Sequence, residues 1–173
     1  MGYYLISGLP GTGKTTIENE LKKLDYEVIN TDEQWGYYGN IETEVPVDYP
    51  AHPTKEWFKT QGFIWSSKTV RPLLSHPREK PLFVCGGSRN ESKFYDLFDK
   101  TFVLHVPDKV MRERLKARND PNSSSELFIS RMIEYNQGAY ENAAKIGGIV
   151  IETTQPLEQV VKQILSNIHD IIK

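Results

Sequence analysis

Residues 8–15 read Gly-Leu-Pro-Gly-Thr-Gly-Lys-Thr, a spacing that fits the phosphate-loop pattern of Gly, four residues, then Gly-Lys-Ser/Thr. A short apolar segment at 3–6 precedes this motif, and residues 16–24 can form a helix. A strand, a glycine-rich loop and a helix in this order are the context that the pattern requires. A flexible glycine turn could match by chance, but the flanking segments disfavour that alternative. The motif therefore predicts that the chain binds a nucleoside triphosphate.

The residue types of the motif suit a polyphosphate. The glycines allow a tight turn in which several backbone N–H groups face one anion, and the following helix directs its positive end at the same point. Lys14 is expected to contact the β- and γ-phosphates, and the Thr15 hydroxyl to bind Mg²⁺. The residues of this segment assigned to the nucleotide are Gly8, Pro10, Gly11, Thr12, Gly13, Lys14, Thr15 and Thr16.

Length and composition indicate one globular domain over residues 1–173, with 38% hydrophobic and 25% charged residues. The net charge of −2 gives no electrostatic argument for a nucleic-acid partner. A single cysteine, Cys85, excludes an internal disulfide and fits a reducing cytosol. No apolar run reaches membrane-spanning length and a strand begins almost at once, so we expect a cytoplasmic protein without a membrane partner. Both a monomer and a homodimer are compatible with these features.

Apolar runs alternate with helical patterns, and this alternation predicts parallel βαβ units. The predicted strands are residues 3–7, 27–30, 81–85, 101–106 and 148–151. The predicted helices are residues 14–24, 54–74, 91–98, 108–118 and 125–145, with a last helix from Pro156. The prediction is an α/β fold, a doubly wound five-stranded parallel sheet, with ligands beyond the carboxyl ends of its strands. Residues 36–53 are interpreted as a mobile part of an acceptor-binding excursion at about 33–75, and residues 118–131 as a short lid.

Asp32 follows the second predicted strand, beside the phosphate loop in any such sheet. A carboxylate there can hold Mg²⁺ through water, or orient an acceptor hydroxyl as a general base. The alternative is that Asp32 only caps the next helix, because aspartate is favoured at that position.

The third predicted strand ends in Cys-Gly-Gly-Ser-Arg at 85–89. Gly86 and Gly87 would let a substrate approach the backbone closely, and Arg89 would bind a phosphate or carboxylate. Arg89 could equally be a surface cation. Arg71, in the predicted helix 54–74, is also assigned to the acceptor. Cys85, where many nucleotide hydrolases carry an aspartate, is expected to be a buried thiol.

Arg114 and Arg118 are four residues apart and share a helix face, from which they could hold the phosphates and stack on adenine. Arg131 would complete a positive closure over the transferring phosphoryl group. A solvated basic face is the alternative, and it describes Arg112 better. Gln155 and Pro156, in the turn after the last strand, are assigned to the adenine, although that segment could be a plain turn.

Aromatic side chains crowd the acceptor excursion. Trp57 and Trp65 are expected to pack in the core, whereas Trp35, Tyr37 and Tyr38 could stack on a ring-shaped substrate.

With these residues in place, the chain resembles the small P-loop kinases of the nucleoside monophosphate kinase superfamily. The resemblance rests on residues 8–16, on 102–118, and on Arg-Met-Ile-Glu-Tyr at 131–135 with the later Thr-Thr-Gln-Pro. It implies that Arg114, Arg118 and Arg131 are the phosphate and adenine arginines. The segment 82–89 departs from the family signature, since Cys85 replaces its aspartate. Shikimate and gluconate kinases also use Gly-Gly after this strand and an aspartate after strand two.

These observations predict an ATP-dependent phosphotransferase that moves the γ-phosphoryl group of Mg-ATP to a small molecule. The acceptor would be a nucleotide or nucleoside, or else a small hydroxy acid or sugar acid. The predicted catalytic residues are Lys14, Asp32, Arg118 and Arg131, and Thr15 and Asp32 are the predicted metal ligands. A nucleotide-hydrolysing switch or assembly factor is the alternative, but the chain lacks Asn-Lys-x-Asp and the strand-three aspartate. A nucleic-acid end kinase is disfavoured by the charge balance.

Overall fold

A computed structural model of the chain describes residues 2–118 and 123–169. Its main sheet has five strands, all parallel, in the order β2 (Glu27–Asn30), β5 (Leu82–Cys85), β1 (Tyr3–Gly8), β6 (Lys100–His105) and β7 (Ile149–Glu152). The predicted five-stranded parallel sheet is confirmed. Because β1 is the central strand, the loop that follows it lies at the middle of the carboxyl edge.

Helices cover both faces of this sheet, because side chains alternate along each strand and both faces of a central parallel strand are apolar. On one face Tyr4 and Ile6 pack against α1 (Lys14–Lys23) and α8 (Leu157–His169). On the other, Tyr3 and Leu5 pack in a cluster with residues of α4 (Ser67–Leu73) and of the 3-10 helix Glu91–Leu97.

A third apolar cluster joins α5 (Asp108–Lys116) to α6 (Glu126–Gln137) beside the phosphate loop. The predicted helix 125–145 is in fact two helices, since Gly138 separates α6 from α7 (Ala139–Lys145). The predicted lid includes residues 119–122, which lie outside the described residues. No helix in the described ranges is both long and apolar enough to span a bilayer.

The predicted helix 54–74 is wrong. This segment contains a short helix α3 (Trp57–Thr60), the strand β4 (Gln61–Trp65) and α4. Strand β4 pairs antiparallel with β3 (Gly36–Asn40), which follows the one-turn helix α2 (Thr31–Gln34). The aromatic and β-branched residues of Gly-Phe-Ile-Trp favour a strand, and pairing with β3 outweighs the helical pattern around them. The predicted acceptor-binding excursion, residues 33–75, therefore contains a two-stranded sheet.

Asn90 fastens this small sheet to the main one. Its side chain is buried, its Oδ1 accepts a hydrogen bond from the Trp65 N–H at 2.9 Å, and its Nδ2 donates to the Trp65 carbonyl at 2.9 Å. The Arg89 N–H donates to the Phe63 carbonyl at 2.8 Å nearby. The chain after β5 thus fixes the position of β4.

Replacing Asn90 with Ala would leave the buried N–H and C=O of Trp65 without these partners. We expect Asn90→Ala to lower the free energy of unfolding by about 2–4 kcal/mol. Urea denaturation followed by tryptophan fluorescence would measure the change. Asn19→Ala, at an exposed position of α1, is the control and should change stability by less than about 0.5 kcal/mol. Equal stability of the two variants would contradict the role assigned to Asn90.

Candidate active site

The loop between β1 and α1 has the conformation that its glycines predict. Gly11 and Gly13 have φ angles of 89° and 100°, in the left-handed region that favours glycine. At Gly8 a Cβ atom would lie 2.6 Å from the Thr12 hydroxyl, so a side chain there would collide with the loop. The sequence Gly-x-x-Gly-x-Gly is therefore required by the backbone itself.

The same loop presents unpaired amides at the start of a helix. The N–H groups of Gly13, Lys14 and Thr15 make no hydrogen bond to any residue that the structure describes. They lie at the first turn of α1, where the helix dipole is positive. This donor set fits the oxygens of a polyphosphate.

Lys14 lies across the loop. Its ammonium donates to the Gly8 carbonyl at 2.6 Å and to the Leu9 carbonyl at 3.3 Å. Burial lowers the pKa of Lys14, and the nearby Asp32 carboxylate opposes that shift. The hydrogen bonds that hold this cation at the site thus come from two neutral carbonyl oxygens.

A cavity of about 470 Å³ surrounds the start of α1. The predicted nucleotide residues that line it are Pro10, Gly11, Gly13, Lys14, Thr15, Thr16, Arg114 and Gln155. Three others do not line it. Gly8 is the last residue of β1, Thr12 is buried with its hydroxyl donating to the Leu9 carbonyl at 2.7 Å, and the Pro156 carbonyl accepts hydrogen bonds at the start of α8.

Arg114 and Arg118 both line this first cavity, but Arg114 is bonded to the main chain whereas Arg118 is exposed. The Arg114 guanidinium donates to the Gly11 carbonyl at 3.2 Å and to the Thr153 carbonyl at 3.1 Å. It therefore ties the phosphate loop to the turn after β7. Arg118, just past the end of α5, is exposed.

A second cavity, of about 950 Å³, lies on the other side of the phosphate loop, under the two-stranded sheet. The two cavities share four lining residues: Leu9, Pro10, Lys14 and Asp32. Lys14 and Asp32 thus stand where the cavities meet. Asn30, not Asp32, is the cap of α2, because its side chain accepts the Asp32 N–H at 3.0 Å. The carboxylate of Asp32 is exposed at the junction.

The residues predicted to bind an acceptor are only partly brought together. Asp32, Gly87 and Arg89 line the second cavity. Gly86 does not, since a Cβ atom there would lie 1.6 Å from the Thr31 hydroxyl, so this glycine makes room for Thr31. Arg71 lines neither cavity: its guanidinium pairs with Asp96 at 3.0 and 3.1 Å.

Only some of the aromatic residues predicted to contact a substrate line the second cavity. Trp35 is buried edge-to-face against Trp65 at 5.9 Å, which leaves it no free face for a substrate. Tyr38 lines the second cavity, and Tyr37 donates to the Glu44 carbonyl at 2.8 Å. Trp57, expected in the core, is only half-buried.

Arg131 lies at the acceptor side and does not line either cavity. Its guanidinium carbon is 3.6 Å from the centre of the Phe58 ring, and its Nη2 donates to the Tyr135 hydroxyl at 3.4 Å. That hydroxyl also accepts from Arg89 at 3.3 Å. The expected convergence of three arginines on one phosphate is therefore not present in this conformation.

Glu91 is a residue of the site that the sequence patterns do not identify, since they predict only that it starts a helix. Its carboxylate lines the second cavity and accepts hydrogen bonds from the hydroxyls of Ser7 at 2.9 Å and Tyr95 at 2.7 Å. Burial raises the pKa of Glu91, and these hydrogen bonds oppose the shift. An acidic residue just after Gly-Gly-Ser-Arg at a strand end was the signal that could have found it.

Comparison with known families places the chain. Residues 5–142 match the family described as an AAA domain. The chain belongs to this family. No curated protein sequence matches it.

Solved structures show which fold this AAA domain has. A shikimate kinase from Acinetobacter baumannii in complex with shikimate is 17% identical, with a TM-score of 0.57 over 98% of this chain and 94% of that one. A gluconokinase from Sinorhizobium meliloti 1021 is 16% identical, with a TM-score of 0.53 over 98% and 93%. A deoxyadenosine kinase from M. mycoides with bound dATP is 16% identical, with a TM-score of 0.51 over 96% and 99%. The fold is that of the small P-loop kinases, as the resemblance predicted.

Cys85, which replaces the aspartate of the signature that the resemblance implies, is a buried thiol as the sequence predicted. The thiol is buried at the end of β5, and burial raises its pKa. It is a structural side chain.

Arg114 and Arg118 provide a matched pair of variants. Arg114→Ala removes two hydrogen bonds to main-chain carbonyls and should lower the free energy of unfolding by about 1–3 kcal/mol. Arg118→Ala should leave stability within about 0.5 kcal/mol and weaken ATP binding by roughly tenfold. Thermal unfolding and calorimetric titration with Mg-ATP would measure both effects. A melted Arg118→Ala protein would show that this residue is structural.

Proposed function

We propose that this protein transfers the γ-phosphoryl group of ATP to a small molecule held in the second cavity. The observation that carries this proposal is the meeting of two cavities at Lys14 and Asp32. Phosphoryl transfer needs the donor and the acceptor in line on either side of one point, and catalysis is mostly positional and electrostatic. A hydrolase needs no second cavity of this size.

The first cavity suits the donor. The backbone N–H groups of residues 13–15 would donate hydrogen bonds to the phosphate oxygens, and Lys14 would exchange its two carbonyl contacts for charged ones. Mg²⁺ would be held by the Thr15 hydroxyl, and through water by Asp32, and would neutralise charge on the triphosphate. Arg114 and Gln155 border the part of the cavity nearest the turn after β7 and would contact the nucleoside end.

The second cavity suits the acceptor. Asp32 would accept a hydrogen bond from the acceptor hydroxyl and take its proton as the hydroxyl oxygen attacks the γ-phosphorus, which releases ADP. Arg118 would stabilise the equatorial oxygens from the donor side. Arg131 would act from the acceptor side when α6 moves toward the loop, a motion that must break its stacking on Phe58.

A product assay tests the proposal directly. Phosphorylated acceptor should form in step with ADP, and Lys14→Ala should lower its rate by about 10²–10³-fold or more. Release of ADP and inorganic phosphate at one rate, whatever acceptor is added, would instead identify a hydrolase.

Asp32→Asn tests the proposed base. We expect turnover to fall by about 10²-fold or more, because the amide cannot take the proton, while the Kd for ATP changes little. Steady-state kinetics and calorimetry would separate the two quantities. Glu33→Gln, an exposed neighbour that lines neither cavity, is the control. Unchanged turnover of Asp32→Asn would refute the assignment.

A further inference from the structure

One residue that lines the second cavity has a buried acceptor atom with no partner in the described part of the chain. Asn136 lines the cavity and is only 1% exposed. Its Nδ2 donates to the Val106 carbonyl at 2.8 Å and to Asp108 at 2.9 Å, whereas its Oδ1 has no hydrogen-bond partner among the described residues. The orientation of the amide is settled by these contacts, because a flip would put Oδ1 against two acceptors. An unpaired buried oxygen of this kind favours a ligand that donates a hydrogen bond.

A second set of oxygens surrounds Gly87. The point where its Cβ would lie is 3.4 Å from the Gly8 carbonyl oxygen, 3.7 Å from Glu91 Oε2 and 3.9 Å from Ser7 Oγ. Because residue 87 is glycine, no side chain occupies this point. The space beside Gly87 is thus bordered by oxygen atoms.

Three of the hydroxyl groups that line the second cavity already donate inside the protein. Ser7 and Tyr95 donate to Glu91, and the Ser88 hydroxyl donates to Asn90 at 3.0 Å. Beside Gly87, a ligand therefore meets mainly acceptors, namely Glu91 Oε2 and, once Lys14 has turned to the triphosphate, the Gly8 carbonyl. Asn136, which lines the same cavity, adds its buried Oδ1.

The charged residues that line the cavity also bear on the kind of acceptor, since most of them are negative. Among the described lining residues, the carboxylates are Asp32, Glu91 and Glu134, and the cations are Lys14 and Arg89. In the proposed reaction Lys14 binds the triphosphate, so it is not free to bind the acceptor. An anionic acceptor would then meet three carboxylates and one exposed guanidinium, which is electrostatically unfavourable.

The walls of the cavity are apolar. The side chains that form them come from the two-stranded sheet and from α6: Tyr38, Phe63, Phe128, Met132 and Tyr135. Such walls favour a ring with little polarity on its faces.

We infer that the acceptor is a molecule without negative charge that carries an apolar-faced ring and hydrogen-bond donors, hydroxyl or amino groups, which Glu91 and Asn136 receive. This inference rests on the proposed function and narrows its acceptor class. It makes Glu91 a residue that determines specificity, separate from the proton transfer assigned to Asp32.

Matched acceptor pairs that share a ring and differ in charge provide the test. The panel is the common nucleosides beside their 5′-monophosphates, and shikimate methyl ester beside shikimate. Transfer of labelled phosphate from ATP to each compound is followed at saturating ATP, with free phosphate measured in the same samples. In each pair that reacts, the uncharged member should have a kcat/KM about tenfold or more above that of its anionic partner.

Glu91→Gln removes the charge and keeps the shape of the side chain. It should lower kcat/KM for the uncharged acceptor by about tenfold or more, mainly through KM, and narrow the preference over the anionic partner. The Kd for ATP should not change. Glu33→Gln is the matched control, and the melting temperature of each variant shows whether it is folded. If Glu91→Gln does not fold, the preference of the wild-type protein within each pair still decides.

The outcomes separate the two claims. The inference is supported if the wild-type protein prefers the uncharged members and Glu91→Gln loses kcat/KM mainly for them. Better transfer to the anionic members, or an unchanged preference in folded Glu91→Gln, overturns the inference and leaves the kinase proposal intact. Release of free phosphate with no labelled acceptor from any member overturns the proposed function, and the inference with it.

Discussion

The central strand β1 is buried on both faces between two helical layers, and this constraint determines where a ligand can bind. Leu5 and Ile6 have no exposed surface, so the strand offers nothing to a ligand along its length. Only its carboxyl end opens outward, at Gly8. The phosphate loop starts there, and one cavity lies on each side of it.

Contacts from distant parts of the chain hold that loop in place. The Thr153 hydroxyl donates to the Thr12 carbonyl at 2.6 Å, and Arg114 reaches the Gly11 carbonyl from α5. These groups belong to the turn after β7 and to α5, which packs in the third apolar cluster. The loop amides are therefore preorganised toward the first cavity before any ligand arrives, which reduces the cost of ordering them on binding.

The acceptor side is organised differently. Its floor comes from the end of β1 and the segment after β5, and its walls come from β3, β4 and α6. Asn90 joins β4 to the floor. Arg89, which lines this cavity, and Arg131, which does not, both donate to the Tyr135 hydroxyl. The two cavities therefore rest on different parts of the chain.

Local patterns were enough for the donor half. Residues 8–15 specify their own turn through glycines at left-handed φ angles, and alternating apolar runs specify the five strands, because both signals lie within a few residues of chain. Tertiary structure alone decided the acceptor half. Strand β4 forms because it pairs with β3, although the sequence around it has a helical pattern. Arg71 pairs with Asp96 and not with a ligand. Glu91 is held at the site by Ser7, 84 residues away in the chain. Asn136 likewise becomes an unpaired acceptor only because Val106 and Asp108 take its amide group. Burial and hydrogen-bond partners of this kind depend on packing between segments far apart in sequence, so no pattern within one segment contains them.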